Sequence, residues 1–526
     1  MIFQLENKQL FSRSMLWKLQ RQYFEKMGPD AWRFGEVPHY VTSNQRIANS
    51  YAEVVFGFYK DSIKKTVHTD HTQPFYILEA GAGSGRFGYY FVKRLQRLCE
   101  EENIPVHNFC YILSDFTTQN IDAWKKHPLL QDFFSAGQMD IALFDMTLEK
   151  DIFLQLSGNT ITPGSLVFPL IFIANYVFDS IPQELYYTED ETSSVCHVSL
   201  STTTDPSGLT AGEMLKVLTV QYDHAGNRNI QFPEPWLNDI MDVYRKEIQK
   251  GYFFFPETGI RSLAYLRAFS QEGLMVLTAD KGSHAIQQNV YREAPQIVKH
   301  GSFSLTVNYH AFALYTAAAG GSFLFPDRSY SSINTGCMLL TKETGAWPQT
   351  RSAYRKYMDE TGPDDYFALY HQIAGEIGIM PLRAILAALR FSLYDSNLLA
   401  ICLDRLQVLA PEMSNDEKTD MINTIADCWE NYFPLGEQND LACRIAFFCY
   451  DIDAFDCALY YFKLSTDLYG NDIGALFNMA ACYYQLNEIE NAKIILDIVL
   501  QREPGHAKAA ELLTHILTVS SHKVES

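Results

Sequence analysis

Phe75-Tyr76-Ile77-Leu78-Glu79-Ala80-Gly81-Ala82-Gly83-Ser84-Gly85-Arg86 is the stretch on which the fold turns. An apolar run ends in an acid. Three alternating glycines then lead into Arg86–Glu102, which has helical periodicity and charge. Glycine tolerates positive φ and lets backbone approach a ligand closely. The helix that follows presents free N–H groups at its start. The order strand, glycine turn, helix therefore predicts a cofactor-binding unit in an open α/β sheet.

The pattern repeats outward from this point. Phe109–Ser114 predicts a second strand, closed by Asp115 and Phe116, with a helix over Thr118–Phe134. Ile141–Phe144 predicts a third, followed by Asp145. Leu166–Ala174 predicts a fourth, nearly all apolar as a strand buried on both faces should be, and it ends at Asn175. Strands alternating with helices predict a parallel, doubly wound sheet.

The acids at the strand ends suggest the ligand. Glu79 suits the ammonium of a methionine moiety, Asp115 two ribose hydroxyls, and Asp145 the amino group of an adenine. The cofactor-binding set is thus Glu79, Gly81, Ala82, Gly83, Gly85, Asp115, Phe116, Asp145 and Asn175, and S-adenosyl-L-methionine is the expected cofactor. Gly83-Ser84-Gly85-Arg86-Phe87-Gly88 also fits G-x-G-x-x-G, the dinucleotide fingerprint. A carboxylate at position 79 would repel a pyrophosphate, which disfavours that reading. A nicotinamide- or flavin-dependent oxidoreductase stays open as an alternative, and so does a purely structural turn.

At the amino-terminal side, Met15–Met27 has a helical mix stopped by Gly28-Pro29-Asp30, and a second helix is expected from near Ser43 to Lys65, capped by Thr42, Ser43 or Asn44. Residues 1–70 are expected to be mostly helical. Residues 185–235 carry short β-type runs, Cys196–Leu200 and Leu215–Gln221, between turns at Ser201–Ser207 and Asp223–Asn227, and predict an inserted β region. Trp236–Lys250 and Ile260–Ser270 predict helices, and Leu274–Ala279, Phe303–Val307 and Gly336–Leu340 predict strands. The catalytic domain is placed at 71–345, ending near Thr344–Thr350. Residues 350–526 read as helical. A 34-residue unit beginning at Ile473 puts Leu476, Met479, Ala480, Tyr483, Ala492, Leu496, Val499 and Pro504 at tetratricopeptide (TPR) positions, and Ile445, Ala446, Ala458 and Phe462 fit the unit before it. A generic helical bundle is the competing description.

In this order the pieces resemble the MidA-like methyltransferases, a family that includes the mitochondrial complex I assembly methyltransferase. The resemblance spans roughly residues 15–325. It rests on Val41-Thr42-Ser43, on Glu79–Gly85, and on Ala174-Asn175-Tyr176-Val177-Phe178-Asp179-Ser180-Ile181-Pro182. Phe255-Pro256-Glu257, Leu274–Gly282 and Thr306–Leu314 complete it. It implies a Rossmann-like class I methyltransferase sheet and methyl transfer to an arginine of a protein partner, with Asp179 and Glu257 as the catalytic candidates that orient the acceptor. The chain departs from the family at Tyr176, where a Glu is expected, and at Lys281, where a Tyr is expected. Arginine recognition relies on carboxylates, so the Tyr176 departure bears on the acceptor. Asp179 and Glu257 each have a plainer reading too, as a cap and as a partner of a helix dipole. Tyr176, Phe178 and Tyr252 are candidates for the wall of a substrate slot.

Composition narrows the classes further. The net charge is −20, and residues 411–526 hold 7 Lys/Arg against 19 Asp/Glu. No basic face for nucleic acid is visible. A solvated surface explains the acidity, and a docking face for a basic partner is the sharper alternative. The ten cysteines form no C-x-x-C pair and His284 and His310 have no partner at metal spacing, so no metal site is expected and a reducing, cytoplasmic setting is. No apolar run has the length of a membrane span. The expected activity is that of a methyltransferase acting on a protein substrate or complex docked on the TPR-like region. The alternative is an inactive adaptor or assembly factor of the same fold that works through protein–protein contacts.

Overall fold

The computed structural model describes residues 1–33, 37, 40–65, 73–224, 231–300, 302–328, 332–342, 345, 347–437 and 439–524. Two units result, Met1–Phe367 and Ala368–Ser526. Part of the expected turn at Asp223–Asn227 and part of the expected boundary at Thr344–Thr350 lie outside the described residues.

The central sheet of the first unit has seven strands: β1 Phe75–Ala80, β2 Phe109–Asp115, β3 Met139–Leu143, β4 Leu170–Asn175, β5 Gly273–Asp280, β6 Ser322–Leu324 and β7 Asn334–Thr341. Their order is β3-β2-β1-β4-β5-β7-β6. β3 through β5 run parallel. β7 is antiparallel to β5, and β6 to β7. The sheet is therefore mixed, which corrects the all-parallel expectation. A short link joins β6 to β7, and short links pair strands antiparallel. Hydropathy cannot reveal this, because β5 and β7 are both buried along their whole lengths. The chain leaves β1 in one direction and returns to β4 on its other side. A crevice opens at the carboxyl ends of those strands, where ligands sit in open α/β sheets.

The helix Arg86–Glu101 packs against Gln45–Lys65, and Pro348–Tyr354 packs on the same long helix. Asp61 accepts hydrogen bonds from Thr350 N at 3.0 Å and Thr350 Oγ1 at 2.9 Å. Asn44 caps the long helix, its Oδ1 accepting from Ile47 N at 3.1 Å. Met15–Met27 is a helix with Ser14 at its N-cap and Gly28 at φ +50° beyond its end. The single helix expected over Thr118–Phe134 is two, Thr118–Lys126 and Gln131–Ser135, because Pro128 cannot continue the first.

Residues 1–70 are less helical than expected, since Phe3–Leu10 is a strand. It pairs with Thr192–Thr202, which pairs with Glu184–Glu189, which pairs with Lys250–Phe255. Its alternation is hidden by register shifts around Glu6 and by Lys8 at φ +47°. The stretch 215–221 is also not one β run. Ala211–Val217 is a helix, closed by a capping box of Thr210 and Glu213, and the strand Thr219–His224 follows it.

In the second unit, Leu441–Asp451, Phe455–Tyr469, Ile473–Gln485, Ile489–Arg502 and Ala507–Val524 are successive helices, each packed on the next. Ala446, Ala458, Ala480 and Ala492 are fully buried, which lets paired helices approach closely, while Ile445, Phe462, Leu496 and Val499 fill the space between them. Each large buried side chain contributes on the order of 2 kcal/mol. Among the described residues, no helix is long and apolar enough to cross a membrane.

Candidate functional site

The loop after β1 is held by its own backbone. Ala82 N donates to Ser114 O at 3.0 Å, and Gly85 N to Ala82 O at 2.8 Å. Trp124 Nε1 donates to Gly83 O at 2.9 Å. Gly83 has φ +53°, and a Cβ there would lie 2.9 Å from the Trp32 ring. Glycine at 83 is thus required both by conformation and by the indole laid over it. Gly81, at φ +61°, is the exposed member.

Two cavities meet at this loop and share Phe24, Trp32, Gly81, Tyr176 and Ser180. One, of about 270 Å³, is lined by Glu79, Gly81–Ser84, Asn175, Tyr176 and Asp179. The other, of about 390 Å³, is lined by Asp115, Phe116, Phe144, Asp145 and Met146. Of the expected cofactor set, Glu79, Gly81, Ala82, Gly83 and Asn175 fall in the first, and Asp115, Phe116 and Asp145 in the second. Gly85 lines neither. It sits at φ +78° against Trp124 and starts the helix.

The acids differ in state. Glu79 is buried, and its Oε2 accepts from Tyr111 Oη at 2.9 Å. Burial pushes its carboxyl up to about 8, against the Tyr111 bond and with help from the nearby Asp115. Asp115 is also pushed up by burial, but its oxygens accept from Thr117 N at 2.9 Å, Asn120 Nδ2 at 2.8 Å and Gly83 N at 3.4 Å. It therefore ties the glycine loop to β2. Asp145 is the opposite case. Burial pushes it up, yet bonds from Thr147 and Arg21 outweigh this and hold it below the usual range. Arg21 Nη1 lies 2.5 Å from Asp145 Oδ2, and the guanidinium rests 4.5 Å from the centre of the Phe116 ring. Asn175 Oδ1 accepts from Tyr51 Oη at 2.9 Å, while its buried Nδ2 has no partner.

The two catalytic candidates are not brought together. Asp179 lines the first cavity, and its Oδ1 accepts from Ser180 Oγ at 2.7 Å. Glu257 lines neither cavity. It accepts from Arg261 Nη1 at 2.8 Å at the start of Glu257–Arg267, and Arg261 also holds Glu234. Asp179 is instead coupled electrostatically to Asp280 at the end of β5. Burial pushes both carboxyls upward, and the Asp179 charge pushes Asp280 up further. Asp280 Oδ2 accepts from Thr278 Oγ1 at 3.1 Å and Tyr309 Oη at 3.4 Å, and its buried Oδ1 has no donor among the described residues.

Tyr176 lines both cavities and sits at φ +54°, a conformation rare for a tyrosine and typical of sites where strain is held by surrounding structure. Phe178 is core, packed on Phe312, and Tyr252 belongs to the second sheet beside Tyr187. Neither lines either of these two cavities. Sequence reasoning missed Arg21, Phe24 and Trp32, which come from a distant helical segment, and the pairing of Asp280 with Asp179. Only the proximity of Asp280 to a strand end could have hinted at the last.

No protein-family model matches the chain, and no curated protein sequence matches it. Several solved structures are similar over part of it. An uncharacterized ACR superfamily protein from Burkholderia thailandensis is 13% identical, with 60% of this chain and 74% of that one covered and a TM-score of 0.37. A second protein of that superfamily and organism, an inferred methyl transferase bound to S-adenosyl-homocysteine, is 12% identical, covering 68% and 86%, with a TM-score of 0.39. The CurJ carbon methyltransferase is 9% identical, covering 56% and 54%, with a TM-score of 0.26. At scores this low, similarity does not by itself fix a fold or an activity.

Proposed function

We propose that the first unit is an S-adenosylmethionine-dependent methyltransferase with the class I sheet, acting on a protein that the second, TPR-like unit recruits. The observation that carries this reading is the pair of joined cavities at the β1/β4 crossover, with a buried acid at the end of each of the first two strands and an open glycine between them. Glu79 and the unpartnered Asn175 Nδ2 suit the two ends of an amino acid, an ammonium and a carboxylate. Phe116, Phe144 and Met146 suit an aromatic base. Glu79 can ionise against a bound ammonium but offers a pyrophosphate no positive charge, which favours the amino-acid end over a dinucleotide.

When bound, the cofactor supplies a methyl group already activated by its sulfonium. The chain's own part is positioning. Asp179 faces the first cavity, where its carboxyl, with the buried Asp280 beside it, is placed to orient an acceptor N–H or O–H. Tyr176, in place of a carboxylate, walls the same space with an aromatic ring.

Calorimetric titration with S-adenosylmethionine and S-adenosylhomocysteine tests this. Micromolar binding is expected, lost in Gly83→Arg, where any side chain meets Trp32, and weakened in Glu79→Gln, which keeps the loop intact. A folded wild-type protein that binds neither compound would overturn the enzyme reading and leave an adaptor that acts through its helical unit.

A further inference from the structure

The second unit carries a feature unrelated to cofactor binding. Cys449 Sγ and Cys457 Sγ lie 3.0 Å apart, within about 1 Å of a disulfide bond length. Cys449 is in the last turns of Leu441–Asp451, and Cys457 is the third residue of Phe455–Tyr469, so the two thiols face each other across the closed end of a helical hairpin. Cys449 is fully buried, whereas Cys457 is half-buried and so open to a small reagent. The first turn of a 15-residue helix favours a thiolate at Cys457. The contact with Cys449 works in the same direction, drawing the Cys457 thiol down against burial and the neighbouring Asp456 charge, while the Cys449 thiol is pushed up. Cys457 is therefore the more accessible nucleophile and Cys449 the shielded thiol.

We propose that Cys457 and Cys449 form a peroxide-reactive dithiol, with Cys457 attacking and Cys449 resolving, which staples the hairpin Leu441–Tyr469 when oxidised. The Cys457 thiolate attacks one oxygen of a hydroperoxide, the O–O bond breaks, and the sulfenic acid of Cys457 and a hydroxide (or alkoxide) result. The Cys449 thiol then displaces hydroxide from that sulfenic acid. The S–S bond forms, the Cys449 proton leaves with the hydroxide as water, and the two thiols have together lost two electrons to the peroxide. Little movement is needed, because the sulfurs already face each other. Cys482, on the next helix, is the other buried thiol near Cys449 and is the competitor that must be distinguished.

Stoichiometric hydrogen peroxide on the full chain, followed by non-reducing peptide mapping, reads this out. The expected result is a Cys449–Cys457 cross-linked peptide with an intact mass lower by two hydrogens, reversed by dithiothreitol. Cys449→Ala should instead trap a dimedone-reactive sulfenic acid on Cys457, and Cys457→Ser should form no cross-link. Survival of both thiols, oxidation of Cys457 past the sulfenic acid in the wild type, or a bond from Cys449 to Cys482 would each overturn the proposal. The wild-type mapping needs no variant to fold.

Discussion

Carboxyl groups are used in opposite ways in the two units. In the first, Glu79, Asp115, Asp179 and Asp280 are each 5% exposed or less, and all stand at or just beyond the carboxyl ends of β1, β2, β4 and β5. In the second, acids far outnumber bases, yet Asp395 is the one carboxyl so deeply buried among the described residues, and it caps a helix. A buried carboxyl is costly unless it is hydrogen-bonded or neutralised. The first unit gathers four of its deeply buried acids at one crevice, with Tyr111, Thr117, Asn120, Thr278 and Tyr309 as compensating donors, and holds Asp61, Asp140 and Glu184 elsewhere. The second unit avoids it and relies on apolar packing. Its acids can therefore be changed cheaply, while those of the crevice cannot.

The largest effect that sharpens this contrast is expected from Asp115→Ala. It strands the buried donors Gly83 N, Thr117 N and Asn120 Nδ2, so stability should fall by about 3 kcal/mol in urea unfolding. Affinity for S-adenosylmethionine should fall at least ~100-fold by calorimetry, because the loop loses its tether to β2. Affinity unchanged in a folded variant would break the link between the buried acid and the ligand. Next comes Leu496→Ala in the fully buried core of the second unit. A loss of about 2–5 kcal/mol is expected from lost burial and the cavity left behind, with cofactor affinity unmoved. A parallel loss of binding would show that the contrast between the units is not a division of labour.

The pH response follows from Glu79. Its folded value near 8 lies above its ordinary 4.5, so the unfolded chain releases this proton first as pH rises. Its contribution is fully present below about 4.5 and is lost by about 8, so stability should decline across that window. Glu79→Gln should flatten the decline. A bound ammonium would favour the ionised form, so cofactor binding near pH 7 should release a proton, seen as a dependence of binding enthalpy on buffer. Identical enthalpies in phosphate and Tris would separate Glu79 from the ammonium.

These expectations draw on residues whose roles differ in how far the sequence discloses them. The motif from Phe75 to Gly85 predicts a strand, turn and helix, and the structure has them in place, because local apolar runs and glycines act over a few residues. The helix boundaries at Met15, Met27 and Lys65 are equally local. The direction of β7 and the strand Phe3–Leu10 are not, since pairing partners lie far off in sequence and the pleat of Phe3–Leu10 is interrupted. The site divides the same way. Glu79, Asp115 and Asp145 follow from strand ends, whereas Arg21, Trp32 and the Asp179–Asp280 pair arise only when distant segments meet. Glu257, attractive beside Phe255-Pro256, is drawn off by Arg261 four residues later on its own helix.

Arg21 provides the smallest and most discriminating test of the crevice. Its guanidinium takes Asp145 Oδ2 and covers the Phe116 face, which are the hydrogen-bond acceptor and the ring that an adenine would use in the proposed site. Because Arg21 is itself 45% exposed, losing this ion pair should cost under about 1 kcal/mol of stability. Arg21→Ala should leave Thr147 on Asp145 Oδ1, free Oδ2, uncover the ring, and tighten cofactor binding by up to roughly tenfold, about 1.4 kcal/mol. Adenosine alone should show the same gain, because the effect is confined to the second cavity. A gain with S-adenosylmethionine but none with adenosine would place the competition at the methionine end. Weaker binding of both would make Arg21 a ligand donor, and Asp145 its support rather than the group that reads the base.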